Sequence, residues 1–186
     1  MDAENRFLWR MNRRKVEAEV LRDSVLALAG KLDRTMYGPS FQDFVIDKPE
    51  HSPHYEYSQY DPDDRRTHRR SIYRFLVRSQ PQPFMETLDC ADPSLLVDKR
   101  NETLTALQAL TLLNNRFMVR MSERCATRLQ EEAAAVDAQI DLAFHLALSR
   151  APTDEERGEA IAFAKQFGLS NFCRVLFNLN EFAFVD

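Results

Sequence analysis

Glycine is scarce in this sequence, with only 4 in 186 residues, which argues against a glycine-rich loop that cradles phosphate. The three cysteines, Cys90, Cys125 and Cys173, match neither CxxC nor the CxxCH haem-attachment pattern, so a covalently bound c-type haem is excluded. We predict that they are small buried hydrophobic residues. No apolar run approaches the roughly 20 residues that a membrane-spanning helix needs. The first residues lack the apolar core of a secretory signal, so none is expected in this chain.

The remaining composition is that of an ordinary globular domain. Hydrophobic residues make up 44% of the chain, and 25 basic residues stand against 29 acidic ones, for a net charge of -4. This acidic balance argues against nucleic-acid binding, which rests mainly on neutralising phosphates. Neither a nucleophile elbow nor a zinc-protease pattern is present. The residues therefore favour a chain that is not an enzyme, and they assign no catalytic group.

The hydrophobic spacing divides the chain into three parts. Residues 5–32 predict one long helix, with Gly30 near its C-terminal cap. Residues 36–79 are rich in tyrosine and proline and predict a long loop with short strands at 41–46, 55–60 and 71–78. Residues 103–186 predict a run of helices. The fold class is therefore mainly α, a single helical domain over 1–186 with a small β element and a long Tyr/Pro-rich insertion.

Cap signals and apolar stripes locate the helices within the third part. Thr103 is predicted to cap a helix that is apolar on more than one side and therefore central. The next helix follows Asn115 and carries a stripe of apolar residues beside a row of arginines, namely Arg116, Arg120, Arg124 and Arg128. Thr153 with Glu156 forms a capping box that begins another helix, which should end at Gly168.

The strongest local charge feature is the basic segment 65–70, followed by Arg74 and Arg78. It predicts either an anion or acidic-glycan site or a cluster neutralised by the aspartates at 61, 63 and 64. The tyrosines either line a binding surface or fasten the long loop to the domain. The candidate binding residues are Arg69, Arg70, Tyr73, Arg74, Tyr55 and Tyr57.

The four histidines do not predict a metal site. His51 and His54 stand in an H-x-x-H pattern beside Glu50 and Glu56, but without a helix or a third strong ligand. His145 lies in an apolar helical stretch and is predicted to be partly buried and hydrogen bonded. We assign no metal and no cofactor to this chain.

Several motifs, in order along nearly the whole chain, resemble a known family. They are HRRSIY at 68–73, QPQPF at 80–84, FMETLDCADP at 84–93, RNET at 100–103 and LFNLNEF at 176–182. The set is similar to the C-terminal domain of unknown function 1553, found in large planctomycete and related bacterial proteins that also carry cytochrome-c-like regions. The resemblance implies a module of a larger exported protein, and hence an extracytoplasmic location in the periplasm or cell envelope. It supplies no catalytic residues.

We therefore expect a non-catalytic C-terminal module that packs against other domains of a larger parent protein or against a protein partner. The alternative is a hydrolase or redox accessory domain that acts on complex carbohydrate. A glycan is a further candidate ligand, whereas nucleic acid and membrane insertion are not expected.

Overall fold

The computed structural model describes residues 5–47, 53–92, 94–96 and 98–185, and within them the fold is mainly α with a small β element. The helices are α1 Ala18–Leu28, α2 Pro83–Thr87, α3 Ala106–Asn114, α4 Arg116–Glu132, α5 Val136–Leu148, α6 Asp154–Phe167, α7 Leu169–Phe177 and α8 Asn180–Ala183. The strands are β1 Arg14–Lys15, β2 Val45–Asp47, β3 His54–Glu56 and β4 Phe184–Val185, and two 3-10 turns cover Arg65–His68 and Ser71–Tyr73.

The hydrophobic core is built around α4. This helix packs against α1, α3, α5 and α7. Its apolar stripe is buried as the sequence predicts, with Met118, Met121 and Leu129 fully inaccessible to solvent. The arginine row lies beside this stripe, so α4 presents one face to the core and another to the Tyr/Pro-rich insertion.

The predicted helix over residues 5–32 is wrong in its N-terminal half. The helix begins only at Ala18, and the preceding residues are irregular except for β1, which pairs antiparallel with β4. The most hydrophobic cluster before Ala18, Phe7, Leu8 and Trp9, is consecutive in sequence, so a helix could not place all three on one face. At its other end Gly30, at φ +66, follows the cap as predicted, and Lys31 N donates to Leu26 O in a Schellman motif.

The predicted strand over residues 71–78 is also wrong. Both the amide and the hydroxyl of Ser71 donate to Asp23 Oδ1, at 2.8 and 2.7 Å, and the chain then folds into a 3-10 turn. A single bridge between Phe41 and Arg74 is all the pairing that the described part of the chain gives this segment. The strands predicted at 41–46 and 55–60 form only in part, as the shorter β2 and β3, which pair antiparallel with Ile46 opposite Tyr55.

The helix starts after residue 103 follow the predicted caps with one correction. The capping residue of α3 is Thr105, whose box partner is Gln108, because Thr103 is engaged elsewhere: its hydroxyl donates to Asp89 Oδ1 at 2.9 Å. The Thr153 and Glu156 capping box is confirmed, as is the end of α6 at Gly168. The prediction that α3 is central is wrong, since one side of this helix faces solvent.

Candidate functional site

Arg69 and Tyr73 lie together on one side of the insertion. The guanidinium of Arg69 stacks on the Tyr73 ring, 4.1 Å from the centroid, and donates to the carbonyl oxygens of Thr35, Tyr37 and Pro39. The Tyr73 hydroxyl accepts a hydrogen bond from Tyr37 N at 2.8 Å. Both side chains therefore hold the turn at residues 35–39 in place.

Arg74 points into the interior. Its Nε lies 3.1 Å from Asp43 Oδ2, and the side chains of both residues are only 3% exposed. Asp43 Oδ1 is buried with no hydrogen-bond partner. Breaking a pair this deeply buried strands a charge away from water, so Arg74 contributes to the stability of the insertion.

Tyr55 and Tyr57 pack edge-on against Phe44, with ring centroids 5.1 and 5.5 Å away. The Tyr57 hydroxyl donates to Gln80 O at 2.8 Å. The side-chain amide of Gln80 accepts a hydrogen bond from Tyr55 N through its oxygen and donates one to Tyr55 O through its nitrogen. Burial, with a smaller contribution from the Asp43 charge, raises the pKa of Tyr57 to about 12. These tyrosines join β3 to the chain before α2.

Arg70 differs from the other five candidates. It is exposed, and its side chain makes no hydrogen bond or ion pair within the residues that the structure describes. The structure thus brings Arg69 next to Tyr73 and Tyr55 next to Tyr57, buries Arg74, and leaves Arg70 at the surface, apart from these contacts.

An open cleft of about 840 Å³ lies beside Arg69, between the 3-10 turn Arg65–His68 and the residues before β2. Its charges balance, because three arginines face three aspartates, namely Arg65, Arg66, Arg69, Asp33, Asp61 and Asp64. Asp64 Oδ2 binds Arg66 at 2.7 Å, and this hydrogen bond lowers the pKa of the carboxyl group. The size suits a small ligand, but the cleft lacks the excess of one charge that would attract an ion.

The arginine row of α4 fastens the insertion to the helices. Arg116 donates to Ser58 O and Tyr60 O, while Arg120 and Arg124 both bind the carboxylate of Asp63, at 2.5 and 2.9 Å. Of the aspartates upstream of the basic segment, Asp64 therefore neutralises Arg66, whereas Asp63 binds the arginines of α4. The row is occupied by partners within the chain.

Sequence reasoning missed Arg22, the central residue of the buried polar network. It is 5% exposed and donates to Thr67 O, Arg69 O and Ser71 Oγ, at 2.5, 3.1 and 3.3 Å. Its guanidinium lies between the rings of Phe41 and Phe117. The signal was present in the sequence, because Arg22 stands on the apolar stripe of α1, four residues after Ala18.

A second surface is apolar and lies on α3. Gln108 and Leu112 point inward, whereas Leu104 just before the helix and Leu107 and Leu110 within it are 75%, 62% and 56% exposed. No residue from 103 to 115 is charged. We call the exposed side chains of Leu104, Leu107 and Leu110 the α3 face.

Comparison with known proteins places this chain in a family. The family model for PSD1, protein of unknown function (DUF1553), matches residues 1–164. The chain belongs to the DUF1553 family. No curated protein and no solved structure matches it. Because the family's function is unknown, the function of this DUF1553 chain has to be inferred from its own contacts.

Metal and thiol chemistry find little support in the described part of this DUF1553 chain. It contains no group of three His, Cys, Asp or Glu residues that could hold a metal ion, although His51 and Glu50 lie outside the described residues. His145 is exposed, so the prediction that it is partly buried is wrong.

Cys125 and Cys173 are buried as predicted, whereas Cys90 is half-buried. Burial raises the pKa of the Cys90 thiol to about 11, which keeps it protonated at neutral pH.

The described helices include none long and apolar enough to cross a membrane.

Proposed function

We propose that this chain is a non-catalytic packing module whose α3 face binds an apolar surface of another domain of its parent protein or of a protein partner. In the architecture that the family resemblance implies, the parent is a larger exported bacterial protein with cytochrome-c-like regions, and this module is its C-terminal part. The single observation that carries the proposal is the α3 face, three leucines that stay more than half exposed.

The contacts of the candidate binding residues support a structural role. Of the six residues selected from the sequence, five hold the insertion together: Arg69, Tyr73, Arg74, Tyr55 and Tyr57. A catalytic side chain needs room to contact a substrate, and these five already contact the protein itself. The arginine row of α4 is likewise used internally.

The chemistry of the α3 face favours a protein as its partner. Burying a leucine side chain contributes roughly 2 kcal/mol, so three leucines that are at least half exposed offer roughly 4 kcal/mol before the cost of association. Since residues 103–115 carry no charge, nothing on this helix attracts a polyanion or a lipid headgroup. An apolar protein surface needs no counter-charge and is the matching partner.

Photocrosslinking tests this proposal. A photoreactive side chain placed at Leu107 in the native cell should form adducts with one protein or with another domain of the parent, whereas the same group at Glu131, on the exposed side of α4, should not. The adducted partner, once purified, should bind the Leu107→Ser, Leu110→Ser double variant about 100-fold more weakly than wild type. Equal adducts at the two positions, or equal affinity of the double variant, would overturn the proposal.

A further inference from the structure

We propose that residues 5–13 form a membrane-binding loop, which inserts the side chains of Phe7, Leu8 and Trp9 into the surface of a bilayer that contains anionic phospholipid. The flanking arginines would contact the phosphate groups. This loop is separate from the α3 face, so its binding to a membrane does not depend on the proposed packing function.

Asn5 organises the backbone of the loop. Its side chain is 4% exposed, and Nδ2 donates to Arg10 O at 2.6 Å and to Asn12 Oδ1 at 2.8 Å. Arg10 N donates back to Asn5 Oδ1 at 3.2 Å, and Leu8 N donates to Asn5 O at 3.1 Å. The polar groups therefore close the loop on its inner side, and the side chains of Phe7, Leu8 and Trp9 are each more than half exposed.

The apolar residues at the tip are unusually exposed. Phe7 is 84% exposed, Leu8 79% and Trp9 58%, and the three are consecutive in the sequence. Leu8 has φ +52, a left-handed conformation that a residue with a β-carbon rarely adopts. A strained backbone at a leucine whose side chain is 79% exposed is better explained by a role at the surface than by packing.

The loop is attached firmly to the domain. Directly after it, β1 pairs with β4, and the ammonium of Lys15 lies 2.7 Å from Asp89 Oδ2 where both side chains are largely shielded from solvent. The loop therefore projects from a fixed base, so the three side chains can enter a surface together without ordering a long segment first.

The charge of the loop selects the occupant. Residues 5–13 contain three basic residues and no carboxylate: Arg6, Arg10 and Arg13. An apolar tip surrounded by arginines matches a bilayer whose headgroups are anionic, because the tip enters the acyl boundary while the arginines remain among the phosphates. Trp9 fits this depth, since tryptophan favours the membrane interface. The proposal departs from the sequence expectation of no membrane insertion, because it invokes shallow insertion of side chains without a spanning helix.

Intrinsic fluorescence tests the proposal directly, because Trp9 is the only tryptophan in the chain. Vesicles of phosphatidylcholine and phosphatidylglycerol in roughly equal amounts should shift the Trp9 emission to shorter wavelength, and bromine-labelled lipid should quench it. Vesicles of phosphatidylcholine alone should bind at least about tenfold more weakly, and high salt should weaken binding to the mixed vesicles. If the mixed vesicles leave the emission unchanged, the proposal is overturned, and the loop then fits an acidic protein surface better.

Two sets of variants separate insertion from a general attraction. Phe7→Ser with Leu8→Ser should abolish vesicle binding, and Arg6→Gln with Arg10→Gln should weaken it at least about tenfold, while the melting temperature of each stays that of wild type. Leu107→Ser, which alters the α3 face, serves as the matched control and should bind vesicles like wild type. Vesicle binding that survives the loop variants, or that is lost in the Leu107→Ser control, would overturn the assignment to this loop.

Discussion

Replacing Asp43 by alanine should destabilise the insertion strongly. The side chains of Asp43 and Arg74 are each 3% exposed, and the bond from Arg74 Nε to Asp43 Oδ2 is 3.1 Å long. Removing the carboxylate strands the guanidinium away from water, a change that costs about 3–5 kcal/mol in buried pairs. For a domain of this size a loss of about 4 kcal/mol lowers the melting temperature by roughly 10 °C.

Two further variants make this test specific. Asp43→Ala combined with Arg74→Met removes both charges and should recover a large part of the loss, because a pair of neutral side chains leaves no unpaired ion. Arg66→Ala breaks an ion pair of the same chemistry at the surface, where the Arg66 side chain is 88% exposed, and should leave the melting temperature unchanged.

Urea unfolding followed at two wavelengths measures the effect. Far-ultraviolet circular dichroism reports the helices, and the near-ultraviolet tyrosine signal reports the insertion, since Tyr37, Tyr55, Tyr57 and Tyr60 all lie there. We expect the tyrosine transition to move to lower urea in Asp43→Ala. A shift of less than about 1 kcal/mol, or a double variant as unstable as the single one, would refute the account of Arg74 as a buried charge that depends on Asp43.

Two other predictions concern exposed ion pairs. The Arg150 guanidinium, together with the hydrogen bond from the Thr153 amide, lowers the pKa of Glu156 from 4.5 to about 2. The ionised carboxylate therefore stabilises the fold fully above pH 4.5, and this stabilisation is lost as the pH falls towards 2. Glu156→Gln should therefore melt below wild type at pH 7 and converge with it at pH 2; a constant difference across this range would contradict the assignment. Asp63→Ala should release the insertion from Arg120 and Arg124, so that trypsin cleaves within residues 60–70 faster than in wild type while the far-ultraviolet circular dichroism is unchanged. Unaltered cleavage would show that the α4 arginines do not fasten the insertion.

The helices that the sequence predicted correctly depend on short-range interactions. The Thr153 capping box spans three residues, and the apolar stripe of α4 repeats every four, so both are visible in a short window of sequence. The predicted helix 5–32 failed before Ala18 for two reasons. The chain at Arg14 and Lys15 is fixed by partners far along the sequence, with β1 pairing to β4 and Lys15 binding Asp89. The residues before it close a loop on the side chain of Asn5.

The candidate site was predictable as a set of residues but not as an arrangement. Arginine and tyrosine are conspicuous in residues 55–78, and the sequence could only offer a binding surface or a fastened loop as alternatives. Their partners are backbone carbonyls, as for Arg69, or a residue 31 positions away, as for Arg74 and Asp43. Every residue has a backbone carbonyl whatever its side chain, so the sequence of residue types does not indicate which carbonyl an arginine will bind.

The sequence by itself determined the mainly helical class, the membership of the family, the absence of a haem-attachment motif and the positions of most helices after residue 105, because these depend on composition and local periodicity. Only the tertiary structure decided which apolar and charged side chains remain available. The α3 leucines and the consecutive side chains of Phe7, Leu8 and Trp9 are exposed, while Arg22 and Arg74 are buried. Exposure depends on which elements pack against each other, and that is set by the long-range contacts of the whole chain.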